Sequence, residues 1–248
     1  MKSESHTSTL SRLFVTTFLI SLSQLIFIPT NSPVASAQDQ VVVFAASSLA
    51  ESHTKLGKFF EISNPGTKIK FVFSASTTLA TQIIDGAKAD IYISASPEDM
   101  KRVTSGRNYL KNSVVLAVPI KSSIRKISQL NHGITWIRCS NQIPCGRAAQ
   151  RALTAEGITS NPKSLEPMAG SVLAKLLSGE VDAAVVYQSD VVAHKSKIRE
   201  IKFRDKKAAV THYKIADLSK TYQSKKVYQF LLSGESSKML QSYGYDLS

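Results

Sequence analysis

Apolar residues in this chain fall in short runs that alternate with helix-spaced stripes. Val41-Val42-Val43-Phe44 is a continuous run of the kind a strand covered on both faces requires. Leu49, Leu56, Phe59 and Phe60 then share one helical face, with Ser48 and Glu51 spaced as a capping box. Ile69 to Phe73 alternates as a second strand, and Leu79, Ile83 and Ile84 mark a second helix stopped at Gly86. Residues 90–94 read as a third strand. After it, Ser96-Pro97-Glu98-Asp99 sets a cap, a first-turn proline and two acids in order for a helix start.

The alternation continues to the end of the chain. Strands are predicted over 113–119, 134–138, 183–187 and 210–215, and helices over 147–156 and 171–177. The tail, 220–243, carries two amphipathic helices with Val227, Phe230, Leu231, Met239 and Leu240 inward. Strands alternating with helices predict an α/β fold with parallel-rich sheets. Ligands on such sheets sit beyond the carboxyl ends of strands, where Ser48 and Ser76 fall.

Residues 1–37 read as a cleavable export signal: Lys2 and Arg12 supply charge, Leu13 to Pro29 is apolar, and Ala35-Ser36-Ala37 has the small-x-small form of a cleavage site. The apolar core is too short and broken for a comfortable membrane span. The chain beyond residue 37 is long enough for one large domain or two lobes of about 100 residues each. The net charge is +13, from 31 Lys and Arg against 18 Asp and Glu. These basic residues are scattered, with pairs such as Lys206-Lys207 and no basic–aromatic alternation, which argues against a nucleic-acid partner.

Cys139 and Cys145 are the two cysteines, and an exported chain makes a disulfide between them the expected pairing. Closing that loop contributes about 2 kcal/mol in the chain-entropy model. Catalytic signatures are missing: there is no Gly-x-Ser-x-Gly elbow, no phosphate loop and no His-Glu-x-x-His. His53, His132, His194 and His212 stand singly, and each is expected to be an ordinary surface residue. Asp90 and Asp182 precede strand runs and are expected in turn or capping roles. No enzyme activity is expected.

Two segments remain, Phe44-Ala-Ala-Ser-Ser-Leu-Ala50 and Phe73-Ser-Ala-Ser-Thr-Thr-Leu-Ala80. Each ends a strand with small hydroxyl side chains and opens a helix, which places O–H and unpaired N–H groups where proteins hold anions. A tetrahedral dianion in a closed cleft needs several aimed donors, with carboxylates kept away.

With those segments go Gly86-Ala-Lys-Ala-Asp-Ile-Tyr-Ile-Ser-Ala95, Ile143-Pro-Cys-Gly-Arg147 and Gly179-Glu-Val-Asp-Ala-Ala-Val-Val-Tyr-Gln-Ser-Asp190. In order and spacing they make the chain resemble the periplasmic molybdate-binding proteins of ABC importers, over nearly all of its length after the leader. The resemblance implies a two-lobed binding-protein fold, each lobe a mixed, mostly parallel sheet flanked by helices, joined by two crossovers. Lobe 1 is expected from 38–116 plus 211–248, and lobe 2 from 117–210.

It also implies a ligand set for molybdate or tungstate. Ser48 and Ser76 donate through hydroxyls, Cys145 and Ala169 through backbone N–H groups, and Tyr187 through its phenol. Where the family pattern has a valine–arginine pair, this chain reads Met168-Ala169-Gly170. No cofactor is implied, and molybdenum enters only as the bound oxyanion. The implied partner is a membrane ABC permease, and the implied form is a periplasmic monomer. The alternatives are a receptor for sulfate or another oxyanion, and a secreted hydrolase acting on an anionic substrate.

Overall fold

The computed structural model describes residues 39–248; the leader expected over 1–37 lies outside them. The first strand, β1 (Asp39–Ala46), pairs in parallel with β2 (Thr67–Ser74) on one side and β3 (Ile91–Ser94) on the other. Its alternate residues serve two layers. Val41, Val43 and Ala45 pack with Leu49, Leu56 and Phe60 around α1 (Ala50–Ser63). Phe44 faces the opposite way, onto Leu79 of α2 (Ser76–Ile84), Tyr92, and Met100 of α3 (Pro97–Val103). Both faces are covered, which is why the strand reads as an unbroken apolar run.

A 13-residue strand, β4 (Arg107–Pro119), then runs through the molecule. Its first part, through Ser113, pairs antiparallel with β9 (Val210–Asp217), and the final β10 (Asp246–Leu247) pairs with it at Leu110 and Lys111. From Val114 onward its partners are β7 (Ala183–Tyr187) and β8 (Ile198–Ile201). Beside β7 lie β5 (Trp136–Cys139) and then β6 (Ser164–Glu166), all parallel. The order across the sheet is β2-β1-β3-β9-β4-β7-β5-β6.

The apolar cores divide at the same place. One is built from residues 114–209 together with Ala75 and holds Trp136, Val172, Leu176, and Ala148 of α4 (Pro144–Ala155). The others are built from 41–110 and 213–245. The fold is therefore a two-lobed α/β arrangement. Its lobes are joined where β4 changes partners at Ser113 and Val114, and where the short α7 (Lys206–Ala209) leads into β9. The remaining helices are α5 (Ala169–Leu177), α6 (Gln188–Ala193), α8 (Tyr222–Leu231) and α9 (Gly234–Ser242).

Several expectations need correction. The proposed capping box is not formed: Ser48 lies inside a 3-10 turn, Ser47–Leu49, and no side chain caps either that turn or α1. His53 is fully buried, because α1 turns it toward Tyr109 of β4. Ile84 ends its helix 53% exposed, just before Gly86 turns the chain at φ +98. Ser96, Asp90 and Asp182 behave as read: the Ser96 hydroxyl accepts from Asp99 N–H at 3.1 Å, and the two carboxylates accept from Val42 N–H and Thr135 N–H. Among the described residues no helix is long and apolar enough to cross a membrane.

Candidate functional site

Five strands end at one small cavity. β1 delivers Ser47 and Ser48, β2 delivers Ser76, β5 leads to the first turn of α4 at Cys145, β6 leads to Ala169, and β7 ends at Tyr187. All five sequence-predicted residues, Ser48, Ser76, Cys145, Ala169 and Tyr187, line this cavity together with Ser47 and Ser74. The centre of a water-sized sphere has about 20 Å³ of room inside it. The lining contains no Asp, Glu, Lys or Arg.

The helix starts around the cavity share a peculiarity. α2, α4 and α5 begin at the cavity with Ala75, Ile143 and Met168 as N-caps, and none receives a side-chain capping bond. The 3-10 turn that leads into α1 is uncapped too. By contrast α3, α7, α8 and α9, whose N-caps lie outside this cavity, are capped by Ser96, Asp205, Thr221 and Ser233. The first N–H groups of a helix have no partner within it, so the four uncapped starts leave donors for something else. Each α-helix start carries about half a positive elementary charge, so α2, α4 and α5 together offset a large part of a dianion.

The hydroxyls are set the same way. Ser76 Oγ accepts from Ala95 N–H at 2.9 Å, which leaves its own hydrogen to donate elsewhere. Its carbonyl is held by the Tyr92 hydroxyl at 2.9 Å. Ser48 Oγ lies 2.8 Å from the Tyr213 hydroxyl, and its carbonyl accepts from Tyr245 at 2.7 Å. Burial pushes the Tyr187 phenol up to about 12, so it stays protonated and a donor at neutral pH. Its oxygen lies 3.5 Å from Thr211 Oγ1, the long end of hydrogen-bond range.

The expected disulfide is present: Cys139 at the end of β5 is bonded to Cys145 in the first turn of α4. It ties the helix start that carries the Cys145 N–H to the strand behind it. At the rim, Arg147 of α4 reaches Ser96 Oγ at 3.1 Å and Asp99 Oδ2 at 3.6 Å, bridging the lobes. Thr77 Oγ1 donates across to the Gln142 carbonyl at 3.3 Å. Sequence reading did not single out Ser47, Ser74 or Tyr213. Ser47 and Ser74 lie inside the two recognised segments, whereas Tyr213, which meets Ser48, lies in a strand with no signal of its own. Among the described residues no three of His, Cys, Asp and Glu come together as metal ligands.

The profile of the family described as "Bacterial extracellular solute-binding protein" matches residues 41–246. A curated relative, the molybdate-binding protein ModA of Mycobacterium tuberculosis, is 34% identical over 215 residues, covering 82% of each chain. Among solved structures, the periplasmic molybdate-binding protein of Azotobacter vinelandii superposes with a TM-score of 0.73 at 16% identity, over 84% of this chain and 99% of that one. The sulfate-binding protein SubI of M. tuberculosis superposes at 0.70 with 13% identity, over 84% and 86%. At those identities the two structures share the fold, and the fold alone does not choose between their anions. The reach of the family match and the 34% relative carry the conclusion: this chain belongs to the bacterial extracellular solute-binding protein family.

Proposed function

We propose that this chain is an exported receptor that captures molybdate, and tungstate by the same contacts, and delivers it to an ABC permease in the membrane. The observation that carries the reading is the cavity ringed by four uncapped helix starts and five hydroxyls, with no charged side chain in its lining. The 34% identity to a molybdate-binding protein supports molybdate within that class. Ser48, Ser76 and Tyr187 donate through O–H, and Cys145 and Ala169 through N–H.

The absence of carboxylates from the lining has a chemical consequence. Phosphate at neutral pH carries a proton that must itself donate, and the cavity offers it no carboxylate as a strong acceptor. Molybdate, tungstate and sulfate are fully deprotonated there and match the donors. Sulfate is smaller, so cavity size is the selector against it. The mechanism is lobe closure: the anion stabilises the closed form because only that form brings both sets of donors together. The protein works as a periplasmic monomer with no cofactor and no catalytic step.

A thermal-shift panel tests the reading, since a ligand bound only by the folded state raises the melting temperature by RT ln(1 + [L]/Kd) in free energy. Molybdate and tungstate at 100 times Kd should add about 2.7 kcal/mol, while phosphate leaves the transition in place. A shift with sulfate but not molybdate would turn the assignment to a sulfate receptor. Ester turnover with no oxyanion shift would turn it to a hydrolase.

A further inference from the structure

Two serines of the cavity, Ser48 and Ser76, share an arrangement that ordinary strand and helix geometry does not require. Each has its backbone carbonyl bound by a tyrosine hydroxyl: Tyr245 donates to the Ser48 oxygen at 2.7 Å, and Tyr92 to the Ser76 oxygen at 2.9 Å. A carbonyl oxygen can only accept, so the direction of both bonds is fixed. Tyr245 and Tyr92 are buried and lie outside the cavity lining, whereas both serines lie in it. Each bond therefore engages the one group of the serine that would repel a dianion, on a partner that stands away from the anion.

Tyr245 is itself held from three directions. Its ring meets that of Tyr213 edge-on, with centroids 6.2 Å apart. The two residues after it, Asp246 and Leu247, pair with Lys111 and Leu110 of β4. The residue before it, Gly244, has φ +84, and a Cβ there would come 2.9 Å from Val192 Cγ2 and 3.8 Å from Ser189 Cα. Val192 and Ser189 belong to α6, which opens directly after Tyr187. Segment 244–247 thus touches the turn that carries Ser48, the crossing strand and the helix behind Tyr187. Tyr92 is fixed more simply, by its place in β3 between β1 and β9.

We propose that Tyr245 and Tyr92 are positioning residues of the anion site, each holding the backbone of one serine so that its hydroxyl faces the anion. The inference rests on the anion-receptor reading. Ser48 has the greater need, because its 3-10 turn receives no side-chain cap and lies at the junction of β1 and α1. Neither tyrosine touches the ligand; each acts through the serine whose carbonyl it binds.

The test is a pair of crossed double-mutant cycles on sodium molybdate affinity. Calorimetry on the disulfide-intact protein supplies the affinities, and the ligand-free melting temperature is recorded alongside. Tyr245→Phe and Tyr92→Phe keep the rings and remove the hydroxyls, and each should weaken binding about fivefold. In the Ser48→Ala background the Tyr245→Phe penalty should shrink to about twofold or less, while in Ser76→Ala it should persist. Tyr92→Phe should show the reverse pattern. A general loosening of the fold would carry each penalty unchanged into both backgrounds, and that result overturns the proposal. Affinity left intact by both tyrosine variants overturns it too. Variants that no longer melt cooperatively would make the hydroxyls requirements of the fold, which also overturns a role in positioning the site. A wild-type protein that returns no heat with molybdate removes the receptor reading instead, and this inference falls with it.

Discussion

His53 sits in α1 with its ring wholly enclosed, between Ser52 Oγ and the Tyr109 hydroxyl, each 3.1 Å away. Burial holds its pKa down at about 3, against 6.5 for the free side chain. As pH falls from about 6.5 toward 3, the unfolded chain takes up a proton that the folded one refuses. Stability from this residue drops by about 1.4 kcal/mol per pH unit across that window. Asp190 acts in the opposite sense. Burial raises its carboxyl from 3.8 to about 7, so the folded chain holds a proton the unfolded one lacks. Its contribution therefore grows as pH falls from about 7 toward 4. Single variants separate the two: on going from about pH 6.5 to 4.5, His53→Gln should gain stability relative to Asp190→Asn in urea melts. Parallel curves for the two variants would contradict these environments. Local polarity around His53 hid all of this, because its partner Tyr109 comes from a strand more than fifty residues away. Ser48, Ser76 and Tyr187 were legible because each ends an apolar strand. Tyr213 meets Ser48 through a tertiary contact that no local pattern encodes.

At the scale of elements, the strands and helices with long apolar patterns were legible. The pieces that escaped were short or charged: Ser164–Glu166, Ile198–Ile201, Asp246–Leu247 and the small helices α6 and α7. Their few residues carry too little periodicity to stand out. β4 also starts earlier than its apolar run, at Arg107, because β9 supplies partners that hold its polar residues in a ladder. The start of α4 shows how closely an element is placed. A Cβ on Gly146 would meet the Ser140 carbonyl oxygen at 1.8 Å and the Cys139 oxygen at 2.7 Å. These are backbone atoms, so the helix start carrying the Cys145 N–H would have to move. Gly146→Ala should lower stability by about 1–3 kcal/mol and weaken molybdate binding with it. Gly170→Ala, where nothing lies within 4 Å, should leave the melting temperature unchanged or slightly higher. Equal melting temperatures for the two variants would contradict this packing.

The whole molecule brings together what neither lobe holds alone. Ser48 and Ser76 come from one side of the β4 crossing, and Cys145, Ala169 and Tyr187 from the other. Their cores are separate, so the lobes share few apolar contacts that would resist opening. Arg147 and Gln142 meet Thr77 and the buried Ser96 and Asp99 across the rim through a few polar contacts. In the proposed receptor, a bound dianion adds contacts from both halves to this polar set, which suits a receptor that must also release its cargo. The most direct measurement is a calorimetric titration of the purified protein with sodium molybdate, repeated on Ser76→Ala and Tyr187→Phe. The account predicts one anion per chain, with each variant weakened by about 1–3 kcal/mol, a factor of roughly 5 to 150. No heat from the wild type, or affinity untouched in both variants, would contradict it.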